Sequence, residues 1–146
     1  MLRQSTAVAR EGRALLIEGP PGSGKTSLAL ALIDRGWALV GDDGVALAAR
    51  RGVLWAAPAP ATQGLIEVRG VGIAALPAAA APVALVLTAA EQPPRYVEGA
   101  ARVTIAGVAV PELPFDLASP AAPLRAEYAL ALHGLEFPPP PPQWQP

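Results

Sequence analysis

The sequence predicts an α/β domain with a mixed β-sheet and few helices. Three observations lead to this fold class. A glycine-rich segment stands between a short apolar run and a helical pattern, which gives the order strand, loop, helix. Short apolar runs outnumber helical patterns along the chain. Several of these runs are separated only by turn residues, as the strands of β-hairpins are, so the sheet should contain antiparallel as well as parallel neighbours.

The chain opens with a predicted hairpin that leads into the first helix. Residues 6–9 alternate weakly and residues 14–18 form an apolar run, with a Glu-Gly turn signal between them. Over residues 27–35 several aliphatic side chains recur at helical spacing, which predicts a helix. Gly36 follows this segment and is a typical residue at a helix C-terminus.

Four further strands are predicted in the middle of the chain. Residues 37–41 form a second buried strand. Residues 45–49 and 53–57 flank an Arg-Arg-Gly turn and predict a hairpin. Residues 65–73 are predicted as one short strand with a glycine-rich exit. Because one helix and a return separate them, we expect the strands at residues 14–18 and 37–41 to be parallel, on the side of the sheet where the nucleotide binds.

The second half of the chain adds strands and one long helix. Residues 83–88 form a third strongly apolar strand, and the proline-broken residues 89–99 form a loop. Residues 102–105 and 108–110 flank an Ala-Gly turn and predict a hairpin. Residues 119–135 predict a C-terminal helix, because apolar residues share one face and prolines stand near its start.

The length of 146 residues is that of a single domain. We expect residues 1–136 to form this domain and residues 137–146 to form a proline-rich tail. Five consecutive prolines in the tail exclude helix and central strand and favour a stiff polyproline II segment. The function of this tail is not indicated by its composition.

Composition excludes several kinds of site. Without cysteine there is no disulfide and no thiolate metal site, and the single histidine excludes a multi-histidine metal site. A net charge of −1 argues against nucleic acid as a partner. No run approaches the roughly 20 apolar residues of a membrane helix, and the N-terminus lacks the apolar core of a signal peptide. We therefore expect a cytoplasmic protein without a membrane partner.

The glycine-rich segment fits the phosphate-loop pattern G-x-x-x-x-G-K-[ST] without a gap. Its glycines allow backbone N–H groups to converge on phosphate oxygens, and the following helix adds the positive end of its dipole. The motif predicts a nucleotide site with a lysine for the phosphates and a threonine hydroxyl for Mg²⁺. This lysine is the only one in the chain. The predicted nucleotide-binding residues are Gly19, Pro20, Pro21, Gly22, Ser23, Gly24, Lys25 and Thr26.

Two acidic residues, Asp42 and Asp43, directly follow the second apolar strand. In an α/β sheet, ligands bind beyond the carboxyl ends of the strands, which places this pair near the phosphate loop. One carboxylate at that place can hold Mg²⁺ and another can accept a proton from an attacking hydroxyl. The plain alternative is a solvated Asp-Asp-Gly turn.

Glu67 and Arg69 are two residues apart in the segment LIEVRGVGI, which puts both charges on one face of the predicted strand. The functional interpretation is a carboxylate for a metal ion and a guanidinium for a phosphoryl group. An ordinary ion pair explains the same spacing equally well.

The order of these segments resembles the catalytic domain of HPr kinase/phosphorylase, in the short form without the separate N-terminal domain. The resemblance rests on the phosphate loop, on LVGDDGV after the next strand, and on LIEVRGVGI further along. It extends from about Gln4 to about Leu135. The resemblance implies the fold of that domain, whose phosphate loop is similar to that of phosphoenolpyruvate carboxykinase.

The resemblance also implies an activity. The family transfers phosphate from ATP, with Mg²⁺, to a serine of HPr, a phosphocarrier protein of the sugar phosphotransferase system, and can reverse this with inorganic phosphate. Carried over, Asp42 is the general base, Asp43 supports it or the metal, and Arg69 stabilises the phosphoryl group or the loop around it. Thr26 and Glu67 surround Mg²⁺. Longer members form hexamers, so a homo-oligomer is a further expectation.

This chain departs from the family at one position that bears on the direction of the reaction, phosphorylation or its reversal. The histidine that the family often has before the phosphate loop is replaced by Gln4. Glutamine does not titrate, so a proton relay through that histidine is missing. Two alternatives therefore stay open beside the protein kinase. One is a small-molecule kinase on the same loop, and the other is a catalytically weakened nucleotide-binding module.

Overall fold

The computed structural model describes residues 1–138, and most of the predicted tail, residues 139–146, lies outside them. Fourteen elements follow in chain order. They are β1 (Leu2–Arg3), β2 (Thr6–Arg10), β3 (Arg13–Glu18), α1 (Lys25–Asp34), β4 (Ala38–Gly41), β5 (Val45–Arg50), β6 (Val53–Pro58), a 3₁₀ turn (Pro60–Thr62), β7 (Leu65–Val68), β8 (Gly72–Ala75), β9 (Ala81–Ala89), β10 (Ala101–Ile105), β11 (Val108–Phe115) and α2 (Ala122–His133). No helix among residues 1–138 is long and apolar enough to cross a membrane.

The main sheet is mixed, as the sequence predicts. Its strand order is β1-β5-β6-β9-β3-β2-β4, and β11 joins along β9 with β10 at its side. The pairs β3–β9 and β9–β11 are parallel, and the other strand pairs of this sheet are antiparallel. The three predicted hairpins are present, although β11 is several residues longer than expected. It passes through two prolines to reach the parallel register with β9.

The prediction that residues 14–18 and 37–41 run in the same direction is confirmed, and the two strands are not neighbours in the sheet. Strand β2 lies between β3 and β4 and is antiparallel to both. Two strands that are each antiparallel to a common neighbour run the same way, so β3 and β4 end at the same edge of the sheet. The phosphate-loop segment follows β3 at this edge, and the aspartate pair follows β4.

The predicted single strand 65–73 is instead a hairpin, formed by β7 and β8 apart from the main sheet. The chain reverses at Gly70, whose φ of 76° lies in the left-handed region that glycine adopts without strain. Glu67 lies on β7 opposite Ile73, whereas Arg69 lies in the turn. The two charges therefore do not share a strand face. Of the two glycines in the predicted exit, Gly70 lies in the turn and Gly72 begins β8.

The core occupies both faces of the main sheet. Along β3, Leu15 and Ile17 pack with both helices on one face, while Leu16 packs in a second cluster on the other face. This alternation is the expected one for a strand covered on both sides. Helix α1 buries Leu28, Ala29 and Leu32, and α2 buries Ala122, Ala126, Ala129 and Leu130. Phe137 also packs against the helix-side cluster, so packing extends into the first residue of the predicted tail.

Glu127 joins α2 to the elements around it. Its carboxylate accepts hydrogen bonds from Arg10 (2.8 Å), from Arg35 (2.6 and 2.9 Å) and from the indole N–H of Trp37 (3.1 Å). The Arg10 guanidinium also lies 5.1 Å from the centre of the Trp37 ring, at cation–π distance. The hydrogen bond from Arg35 lowers the pKa of Glu127 below its ordinary value, burial opposes this, and Trp37 and the charges of both arginines add to it.

We expect Glu127→Gln to lower the free energy of unfolding at pH 7 by about 1 kcal/mol, because Arg10 and Arg35 lose their ion pairs with the carboxylate and both arginines are partly exposed. The pKa of Glu127 is lower in the folded than in the unfolded chain. The contribution of the Glu127 carboxylate to the free energy of unfolding is therefore complete at pH values above its ordinary pKa of 4.5. It is lost as the pH falls through the lower pKa that Glu127 has in the folded chain. Urea unfolding from pH 7 to pH 3.5 measures this.

The matched control is Glu136→Gln. Its carboxylate is 3.8 Å from Arg13 and its side chain is 87% exposed, so the free energy of unfolding should change by less than about 0.5 kcal/mol. Equal effects of the two substitutions, or an effect of Glu127→Gln that does not decrease with pH, would contradict this account.

Candidate active site

The phosphate-loop segment connects the end of β3 to the start of α1, as predicted. Gly22 and Gly24 have φ values of 82° and 105°, which residues with a side chain rarely adopt. The Ser23 N–H donates to the Pro20 carbonyl at 3.1 Å and closes the turn inside the loop. Gly24 directly precedes α1, so the unpaired N–H groups of the first helical turn open onto the loop.

The loop has the tight construction that a phosphate group requires. A Cβ at Gly19 would lie 2.5 Å from the Ser23 hydroxyl and 2.8 Å from the Ala89 side chain, and one at Gly24 would lie 3.4 Å from the Leu117 backbone. The Ser23 hydroxyl is buried and has no hydrogen-bond partner among residues 1–138. An unpaired hydroxyl beside free helix N–H groups is a donor set that fits a phosphate group.

Lys25 is held against the loop. Its ammonium donates to the Gly19 carbonyl at 2.7 Å and lies 3.9 Å from Asp43 Oδ1. Its side chain is only 10% exposed. The charge is therefore positioned by the loop backbone and directed toward the aspartate pair.

The Asp42 carboxylate is the centre of the site. Its Oδ1 accepts hydrogen bonds from the hydroxyls of Thr26 (2.8 Å) and Thr6 (3.2 Å), and its Oδ2 accepts a longer one from the Glu67 N–H (3.4 Å). These donors come from three segments: the start of α1, the start of β2 and the β7–β8 hairpin. The contact with Thr26 joins the predicted metal-binding hydroxyl directly to the predicted acidic pair.

Asp43 is placed differently from Asp42. Its φ of 54° is left-handed, a conformation that aspartate tolerates, and its N–H donates to the Thr6 hydroxyl at 3.3 Å. Its side chain is 69% exposed and faces Lys25. The alternative of a solvated turn therefore applies to the exposed side chain of Asp43. It does not apply to Asp42, which accepts a hydrogen bond from Thr26 at the start of α1.

Nine of the twelve predicted site residues line one cleft of about 520 Å³, whereas Gly19, Pro20 and Ser23 of the phosphate loop do not line it. It is lined by Pro21, Gly22, Gly24, Lys25, Thr26, Ser27, Leu30, Asp42, Asp43, Glu67 and Arg69. Glu67 and Arg69 thus both reach the cleft, although from a strand and a turn rather than from one strand face. A second cavity of about 440 Å³, between the 94–101 segment and β11, contains none of the predicted residues.

The oxygen groups of the cleft are suited to an Mg²⁺ ion that is bound together with a nucleotide. They are less suited to a metal ion whose ligands all come from the protein. No group of three His, Cys, Asp or Glu residues that could hold a metal occurs in the described part of the chain. Mg²⁺ commonly takes one or two protein oxygens and completes its shell with waters and phosphates. Thr26 and Glu67, which both line the cleft, offer such oxygens, so the donor set fits a nucleotide-bound Mg²⁺.

Thr6 is the site residue that the motifs do not include. It is fully buried and contacts both aspartates, although it belongs to the opening hairpin. The sequence feature that could have identified Thr6 is its hydroxyl at the start of an otherwise apolar strand. A hydroxyl buried in such a strand requires a hydrogen-bond partner nearby. Leu30, on α1, also lines the cleft and is not part of any motif.

Comparisons with known proteins agree with this geometry. The family model described as "HPr Serine kinase C-terminal domain" matches residues 5–79. The "HPr kinase/phosphorylase" of Streptococcus thermophilus is 48% identical over 63 residues, which are 42% of this chain and 20% of the relative. That of Clostridium novyi is 46% identical over 67 residues, 46% of this chain and 22% of the relative. The match thus spans about a fifth of the length of these relatives.

The fold is shared over most of the chain. The "Hpr(Ser) kinase/phosphatase" structure from Coxiella burnetii superposes with a TM-score of 0.77 and 25% identity, covering 90% of this chain and 94% of that one. The family match includes the phosphate loop, the aspartate pair and the β7–β8 hairpin, which are the segments that form the cleft. The chain belongs to the HPr serine kinase C-terminal domain family.

Proposed function

We propose that this domain is an ATP- and Mg²⁺-dependent protein-serine kinase whose acceptor is an HPr-type phosphocarrier protein. The observation that carries the proposal is the 2.8 Å hydrogen bond from Thr26 of the phosphate loop to Asp42 of the acidic pair. It joins the group that would bind the nucleotide's metal to a group that could receive the acceptor's proton. Family membership supports the same role.

The nucleotide phosphates are assigned to residues 19–26. Their backbone N–H groups bind phosphate oxygens, and Lys25, held over Gly19, supplies a point charge for the β- and γ-phosphates. Thr26 and Glu67 are assigned to Mg²⁺. When bound, this ion neutralises charge that develops between the β- and γ-phosphates.

The acceptor side of the reaction is assigned to Asp42. Its Oδ1 is occupied by two hydroxyl donors, so Oδ2, with only a 3.4 Å partner, is the oxygen available to orient the serine hydroxyl and take its proton. Asp43 supports the pair and faces Lys25, and Arg69 at the hairpin turn stabilises the transferred phosphoryl group. With inorganic phosphate as the attacking group, Asp42 returns the proton as a general acid.

The described architecture favours a kinase with a protein acceptor over a small-molecule kinase, because it differs from the architecture of nucleotide kinases. Nucleotide kinases have a mostly parallel sheet, several helices and an arginine-rich lid, whereas residues 1–138 form two α-helices and a sheet with mostly antiparallel neighbours. The proposed activity would regulate carbohydrate uptake through the phosphotransferase system, in the cytoplasm. Assembly into a homo-oligomer belongs to the same proposal.

The test is transfer of label from [γ-³²P]ATP, with Mg²⁺, to the organism's own HPr-type proteins. The proposal predicts phosphoserine on one such protein and no transfer when Mg²⁺ is chelated. Label on a small metabolite would favour a small-molecule kinase. Nucleotide binding without any transfer would favour a nucleotide-binding module, and either result would overturn the proposed activity.

Lys25→Ala should abolish transfer, because no other lysine exists in the chain to replace it. Lys25→Arg should fail as well, since the planar guanidinium fork does not fit a position that holds an ammonium 2.7 Å from the Gly19 carbonyl. Transfer assays and circular dichroism on both variants measure this. A folded Lys25→Arg variant with near-normal activity would count strongly against the assigned phosphate site.

Asp42→Asn should slow transfer to protein by about 10²–10⁴-fold and leave ATP binding intact, because loss of a general base affects the transfer step. Transfer rates and binding of a fluorescent ATP analogue separate the two effects. The matched control is Asp34→Asn at the exposed C-terminal end of α1, which should change neither. A purely structural Asp42 would reduce nucleotide binding in parallel with transfer.

The balance between kinase and reverse reaction should depend only weakly on pH between about 6 and 7, because Gln4 cannot titrate. Gln4 is exposed, in the bend between β1 and β2. Gln4→His should introduce a pH dependence in this range, and Gln92→His, in an exposed loop, should not. A sharp pH switch already present in the wild type would show that another group sets the direction.

A further inference from the structure

Ser5, directly before β2, and Thr6, the first residue of β2, are both polar and fully buried. They are the only buried polar or charged residues among those described, 1–138. A buried hydroxyl lowers stability unless it is hydrogen-bonded, so each must have a partner. Both partners are carboxylates: Ser5 donates to Glu18 at the end of β3, and Thr6 donates to Asp42 directly after β4, and these two strands flank β2 in the sheet.

Ser5 is bound to the strand that leads into the phosphate loop. Its hydroxyl donates to the carboxylate of Glu18, the last residue of β3. Arg3 donates hydrogen bonds to the same carboxylate from its Nε (2.9 Å) and its Nη2 (2.6 Å). Glu18 immediately precedes Gly19, the first residue of the loop. The start of β2 is therefore fixed to the chain one residue before the phosphate site.

Thr6 is bound to the aspartate pair. Its oxygen accepts the Asp43 N–H at 3.3 Å, so its proton is free to be donated to Asp42 Oδ1 at 3.2 Å. One hydroxyl thus fixes both the carboxylate of Asp42 and the backbone of the left-handed residue after it. This contact does not depend on Thr26, whose oxygen the proposed metal would engage.

We propose that Ser5 and Thr6 form a clamp that fixes the phosphate loop relative to the aspartate pair, with Thr6 as the positioning residue for Asp42. The clamp spans the sheet because β2 lies between β3 and β4. The clamp thereby sets the distance between the phosphate loop, which would hold the transferred phosphoryl group, and Asp42, which would take the acceptor's proton. Its kinetic consequence rests on the proposed function, whereas its structural consequence does not.

The kinetic test compares Thr6→Val, which keeps the shape and removes the hydroxyl, with Thr6→Ser, which restores it. Thr6→Val should lower kcat for transfer by about 10- to 100-fold while the KM for ATP changes by less than about threefold, because misplacement of a reacting group by about 1 Å has an effect of this size. Thr6→Ser should stay within about threefold of wild type.

The control for general destabilisation is Val8→Ala, a buried position on the same strand that does not line the cleft. It should lower stability and leave kcat of the folded enzyme unchanged. Near-normal kcat in Thr6→Val, or equal losses in Thr6→Val and Thr6→Ser, would overturn the positioning role. A loss of kcat in Val8→Ala matching that in Thr6→Val would do the same.

An activity-independent measurement separates this proposal from the proposed function. Hydrogen exchange of the Asp43 amide should be faster in Thr6→Val than in wild type and in Val8→Ala, because that N–H loses its acceptor. Unchanged Asp43 exchange in Thr6→Val would overturn the clamp whatever the activity. If wild type transfers no phosphate and the Asp43 effect is present, the proposed function fails and the clamp stands as a structural device.

Discussion

The common direction of β3 and β4 is the constraint on which the site depends. A hairpin places β2 beside β3, and β4 then adds to the other side of β2. The two outer strands must end at the same edge, so the loop after one and the acids after the other become neighbours. The 2.8 Å contact between Thr26 and Asp42 is the local result of this arrangement. No long segment has to close over the site to form it.

The two helices stabilise the position of this edge by packing on one face of the sheet. Helix α1 packs through its leucines on the sheet face that also receives α2, and Glu127 ties α2 to β2, α1 and Trp37. The phosphate loop enters α1 directly, so fixing α1 on the sheet also fixes the loop's N–H groups. The hydrogen bonds of Glu127 lie at the far end of α1 from the cleft, which separates the stabilising contacts from the reacting ones.

Local sequence patterns predicted most of this fold because most of its elements are specified locally. The phosphate loop, the Gly36 helix end and the three hairpins each depend on a few adjacent residues. The prediction of one strand over 65–73 is wrong because its apolar residues continue on both sides of a turn, which the φ of Gly70 and the hydrogen bond from the Val71 N–H to the Val68 carbonyl form. The insertion of β2 between β3 and β4 is a long-range choice that local pattern does not encode.

The candidate site was predictable to the same extent. Lys25, Thr26 and Asp42 belong to motifs whose spacing carries their chemistry, and the structure brings them into one cleft. Thr6 belongs to no motif, and its importance follows from its contacts with both aspartates. Arg69 reaches the cleft by a different path from the one that period-two spacing suggests, because it lies in the hairpin turn.

A crystal structure with Mg²⁺ and a non-hydrolysable ATP analogue is the most direct test of the central claim that one cleft holds both halves of the reaction. The account predicts the β- and γ-phosphates on the N–H groups of residues 19–26, with the metal beside Thr26. Asp42 should face the terminal phosphate from the acceptor side. A nucleotide bound in the cavity near β11, or phosphates in the loop with Asp42 turned away from them, would contradict it.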